Sequence, residues 1–148
     1  MICQPGKKAD DLKSLLLNYI AHELVHVYQY LLTNRTDFNF NLLEIAILEG
    51  SADYVAEQVL GNAYRLDNER NEYGTKNADK LISDFKTNMF SNRYSPWLYT
   101  KLESMPMDMG YWIGYSVAKG VIEKGGSIFD LLTLDDAKHL FDQSEIGQ

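Results

Sequence analysis

The stretch Tyr19 to Leu32, YIAHELVHVYQYLL, decides how the rest of the chain is read. Its apolar residues continue a series that begins upstream: Leu12, Leu15, Leu16, Tyr19, Ile20, Leu24, Val27, Tyr28 and Leu31 follow the three-and-four spacing of one helix face. The spacing predicts a helix from about Asp10 to Asn34, with Asp10 or Asp11 capping its start. On such a helix His22 and His26, four residues apart, point the same way, so two imidazoles can reach one ion. Glu23 can then reach a water on that ion and carry its proton. Two histidines can also simply edge an apolar face. Yet two of the chain's 3 histidines lie here, and the glutamate stands where the chemistry requires it.

Zn2+ suits paired imidazoles, and a catalytic zinc usually has three protein ligands and one open position. The third ligand has to come from elsewhere, and Glu49 in LEGSADY is the best candidate. It falls on a second helix expected from about Asn41 to Leu60, with Gly61 as its C-cap. The first half of that helix, LLEIAIL, is apolar almost all round and therefore buried. A carboxylate following it is costly unless a cation offsets its charge. Gly50 removes a side chain beside Glu49 and is expected to let the first two helices approach closely. Asp53, four residues on, shares the face of Glu49 and can accept a hydrogen bond from a ligand histidine, fixing its tautomer. Glu44 is the rival ligand, but it lies well around the helix and has no carboxylate four residues later. An exposed acidic edge is the alternative reading of Glu49 and Asp53.

Beyond the second helix the pattern stays helical. TNRTDFNFN reads as a loop before it. Asn62 to Phe90 is more polar and broken at Gly74, giving two shorter, peripheral helices, the second being NADKLISDFKTNMF. SNRYSPWLYTKLESMPMD is an irregular connection long enough to be functional. Met109 to Lys124 resumes helical spacing and ends at Gly125-Gly126, and SIFDLL and DDAKHLFDQ form a last pair of short helices. No repeat and no convincing strand pair interrupts this, so the fold class is mainly α.

The 148 residues, 45% of them apolar, suffice for a single domain with one core. A net charge of −7 argues against nucleic acid or an anionic membrane surface as the main partner. Cys3, the 1 cysteine, excludes an internal disulfide framework and reads as incidental. MICQPGKK does not resemble a signal peptide, and no run reaches the roughly 18 apolar residues of a membrane span. A cytoplasmic protein and an exported one with its signal removed look alike on these grounds.

With HELVH followed by EGSAD, the sequence resembles the gluzincins, zinc peptidases with HExxH on one helix and ExxxD on a later one. EGSADYVAE, SPWLY, MDMGYWIGYSVAKGVIEKGG and DLLTLDDAKHLF are similar to a bacterial family of predicted zinc-dependent proteases described as DUF2268-like. Together these segments span about Leu15 to Phe141. The resemblance implies zinc held by His22, His26 and Glu49, Glu23 as general base, Asp53 behind a ligand histidine, and a peptide or protein substrate. It also implies a tyrosine that stabilises the oxyanion, for which Tyr111 and Tyr115 are the candidates, Tyr111 ranking first; either can equally be a core aromatic. His139 reads as a surface residue. The implied fold is a zincin-like helical catalytic core preceded by a β-sheet. Only 21 residues precede His22, so that sheet is expected to be absent or truncated and the chain to be a fragment lacking it. The rival reading is a non-catalytic binding or scaffold protein that keeps the zincin-like core.

Overall fold

A computed structural model describes residues 5–33, 39–64, 67–134 and 136–146. Cys3 and most of the loop before the second helix lie outside them. Among the described residues the chain forms α1 (Pro5–Leu32), α2 (Leu42–Leu60), a 3-10 turn (Gly61–Ala63), α3 (Asn68–Lys76), α4 (Ala78–Lys86), α5 (Met109–Glu123), α6 (Ile128–Thr133) and α7 (Ala137–Gln143), with no strand. The architecture is mainly α. No helix among the described residues is long and apolar enough to cross a membrane.

The centre is α2. Asn41 accepts a hydrogen bond from the Glu44 backbone N–H at 3.0 Å, and the Glu44 carboxylate accepts one from the Asn41 N–H at 2.8 Å. This reciprocal cap satisfies two N–H groups that a helix start leaves open, and it engages Glu44, the rival ligand, at the helix entrance. Leu42, Leu43, Ala46 and Ile47 are all at most 1% exposed. The helix stops at Gly61, whose φ of 52° suits a residue without a side chain.

α1, α5, α6 and α7 all pack on α2, and α3 packs on α5. The closest approach is between α2 and α5. A Cβ on Gly114 would lie 1.7 Å from the Ala46 carbonyl oxygen, and one on Gly50 would lie 2.1 Å from the Tyr115 backbone nitrogen. Gly50 therefore brings α2 against α5, not against α1 as its position beside Glu49 suggests. Gly74 also differs from expectation. It sits inside α3 under the Trp112 indole, 2.3 Å from where its Cβ would stand, and the break comes at Asn77. The 78–90 segment is not peripheral either, since Leu81, Ile82, Phe85 and Met89 belong to the core.

The largest departure concerns α1. It begins at Pro5, so Asp10 and Asp11 lie within the helix and not at its start. Its predicted apolar face points outward: Leu12, Leu15, Leu16, Tyr19, Ile20, Leu24, Val27, Tyr28 and Leu31 are between 47 and 69% exposed. The arc packed on α2 carries Val25 and Gln29, both buried, with His22 and His26 half-buried beside them.

Candidate metal centre

The inward arc of α1 brings both histidines of HELVH against Glu49 on α2. His22 Nε2 and His26 Nε2 lie 2.9 Å apart, and Glu49 Oε2 lies 3.3 Å from the first and 3.2 Å from the second. The far nitrogen of each ring is engaged from behind. His22 Nδ1 is 2.9 Å from Asp53 Oδ1, and His26 Nδ1 is 2.7 Å from Gln29 Oε1. Gln29 cannot turn its amide around, because its Nε2 donates to the Leu48 carbonyl at 3.1 Å and to Ser51 Oγ at 3.0 Å. With carboxylate and amide oxygens as partners, each Nδ1 carries its proton and each Nε2 presents a lone pair.

When both rings are neutral, two lone pairs and a carboxylate oxygen converge on one point with no donor among them. That arrangement calls for a positive charge. The two distances to Glu49, 3.3 and 3.2 Å, are close to the roughly 3.3–3.6 Å between ligand atoms held about 2.0–2.2 Å from a tetrahedral zinc, and the two Nε2 atoms at 2.9 Å are closer together than that. His22, His26 and Glu49 form the cluster able to hold a metal ion among the described residues. Without a metal, a proton on the histidines supplies that charge. Burial disfavours a charged His22, but hydrogen bonds and charges from Asp53 and Glu49 outweigh it and raise its pKa to about 9. Burial likewise opposes ionised Glu49, yet His22 and His26, with the Tyr111 hydroxyl, bring its pKa down to about 2. His26 is raised too, its desolvation overcome mainly by Glu49 and Gln29.

Asp53 is fixed in turn by Arg70, whose guanidinium donates to Oδ2 at 3.0 Å. Arg70 reaches it from the first turn of α3, which Asp67 caps by accepting the Arg70 backbone N–H. The same guanidinium lies 5.0 Å over the Tyr111 ring, and that ring stacks on His22 at 6.1 Å between centroids. Tyr111, from the first turn of α5, is therefore at the cluster. Burial and the Glu49 charge raise its hydroxyl pKa, keeping it a proton-bearing donor. The Tyr115 hydroxyl instead donates to Glu57.

Three residues here have no counterpart in the sequence reading: Arg70, Gln29 and Tyr99. The signal of Gln29 was a polar residue three positions after His26 on the histidine side of the helix. The Tyr99 hydroxyl lies 3.4 Å from Glu49 Oε1, the oxygen turned away from the histidines. Its backbone is left-handed at φ 59°, as is that of Asp108 at φ 61°, and Asp108 Oδ1 accepts the Tyr99 N–H at 2.6 Å. Such strain in non-glycine residues persists where surrounding structure holds it. Glu23 is exposed, and His139 is an exposed residue of α7, as expected.

The helical fold brings together a histidine-histidine-glutamate cluster that could hold a metal ion. The family described as "Predicted Zn-dependent protease (DUF2268)" matches residues 3–141, and the chain belongs to that family. No curated protein and no solved structure matches it.

Proposed function

We propose that the protein is a gluzincin-type zinc peptidase in which His22, His26 and Glu49 hold Zn2+ and Glu23 is the general base. One observation carries this reading: two imidazole lone pairs and a carboxylate oxygen face one another at 2.9–3.3 Å, each ring held from behind. When bound, zinc supplies Lewis acidity and makes its water acidic enough to attack near neutral pH. Glu23 takes the proton of the attacking water as its oxygen bonds to the carbonyl carbon. Glu23 then delivers that proton to the leaving nitrogen as the C–N bond breaks. The Tyr111 hydroxyl donates to the oxygen that gains negative charge, a role Tyr115 fills less well because Glu57 engages it. Asp53 and Gln29 hold the Nδ1 protons, so that each neutral ring presents Nε2 to the ion, and Tyr99 holds Glu49 by its other oxygen. The substrate is a peptide or protein.

The test is purified protein loaded with zinc. It should hold about one ion per chain, and Glu23→Gln should keep the ion while losing hydrolysis. Hydrolysis retained by that variant ends the mechanism. A second reading, a zinc-holding scaffold without turnover, draws on the setting of Glu23, which is exposed beside exposed Tyr19, Ile20 and Val27. Zinc-dependent melting without cleavage of any peptide in a library supports that reading instead.

A further inference from the structure

Beside His26 and Glu49 lies a cavity of about 220 Å³ whose remaining wall is made chiefly by Tyr30, Phe40, Leu48, Leu132 and Leu134. We infer that this cavity receives an apolar side chain of the bound peptide next to the bond to be cut, an assignment that rests on the peptidase reading above. Four pieces of chain meet to form it: the end of α1, the residue before the α2 cap, α2 itself and the end of α6.

Its size and chemistry select the guest. An apolar cavity of about 150 Å³ is enough for benzene, so this one takes a leucine, methionine or phenylalanine side chain. The wall carries no lysine or arginine, and its imidazole, His26, and its carboxylate, Glu49, turn Nε2 and Oε2 towards each other. A lysine or glutamate side chain entering it would lose water without gaining a partner. The backbone gives independent support. Leu134 ends α6 in the left-handed region, φ 50°, where glycine or asparagine is usual, yet it keeps a leucine side chain that is 6% exposed and lines the cavity. Continuity with two of the three proposed zinc ligands places the guest side chain within one residue of the reacting carbonyl.

The test uses the zinc-loaded full chain and isothermal titration with N-acetyl hydroxamic acids of glycine, leucine, phenylalanine, lysine and glutamate, which share one zinc-binding group. The leucine and phenylalanine compounds should bind about ten- to a hundredfold tighter than the glycine one, the range for burying such a side chain. The lysine and glutamate compounds should gain nothing. Leu132→Trp, which fills the cavity, should erase the preference, bringing the leucine compound to the affinity of the glycine one in the same variant. Leu132→Ala, which widens it, should shift preference from leucine towards phenylalanine. Equal affinity for the glycine and leucine compounds, or a preference surviving Leu132→Trp, overturns the assignment. Peptide cleavage without side-chain preference would remove the pocket and leave the peptidase. Preference without cleavage of any peptide would remove the peptidase and leave the pocket, and no hydroxamate binding at all would remove both.

Discussion

On its inward side α1 carries His22, Val25, His26 and Gln29, three of them polar, while its outward side carries Leu16, Tyr19, Ile20, Leu24, Val27 and Leu31, each 48–69% exposed. An ordinary surface helix has these reversed. The inward face tolerates its polarity because its polar atoms are engaged: Gln29 makes three hydrogen bonds, each histidine is held through Nδ1, and no buried side-chain nitrogen or oxygen among the described residues lacks a partner. The outward face carries a contiguous apolar surface of a kind that marks interaction sites. One face of the helix is organised around a charge, the other around the exclusion of water, and Glu23 stands at their border.

The contrast can be broken at several strengths. The largest effect is expected at the border, where Glu23→Gln should lower peptide hydrolysis by about 10² to 10⁴ while metal analysis finds zinc unchanged. Next come the supports of the inward face. Asp53→Asn and Gln29→Leu should each weaken zinc binding by about 10- to 100-fold in a chelator competition, because each frees a histidine to take the wrong tautomer.

A smaller, graded effect follows from pH. Zinc requires neutral His22, and without metal that group titrates at about 9, so apparent zinc affinity should rise about tenfold or more per pH unit between roughly 6.5 and 8.5, with proton release on binding. The sign for folding is the reverse. In the metal-free protein the raised His22 pKa contributes stability that is complete below 6.5 and lost as pH rises through about 9. The lowered Glu49 pKa contributes stability present above 4.5 and lost as pH falls towards about 2. Metal-free thermal melts should therefore decline on both sides of that window. The smallest effect belongs to the outward face, where Leu16→Gln, Leu24→Gln or Leu31→Gln should change denaturant stability by no more than about 0.5 kcal/mol and leave zinc content alone. A loss of zinc in any of these would show that the two faces are not separable.

The period of α1 and the meeting of HELVH with Glu49 and Asp53 were legible because i and i+4 residues share a face whatever the helix packs on. The direction of that face was not. Periodicity says which residues stay together; which side turns inward depends on partners from distant segments, here Leu48, Ser51 and Asp53. The same limit explains the glycines. Gly61 ends α2 by a local rule, but Gly50 and Gly74 answer to Gly114 and Trp112, far along the chain. The Asn41 and Glu44 cap of α2 is equally local, but from the sequence Glu44 reads only as a rival ligand. Tyr99 carried no local signal, since a left-handed tyrosine in an irregular segment is held there by Asp108, nine residues later.

The central claim is that the inward face of α1 and Glu49 together hold one zinc. X-ray absorption at the zinc edge on the loaded protein tests it most directly. The account predicts about one zinc per chain with two imidazole nitrogens and at least one carboxylate oxygen at about 2.0–2.2 Å and no sulfur. A zinc without imidazole scattering, or a chain that binds no zinc at neutral pH, would contradict it.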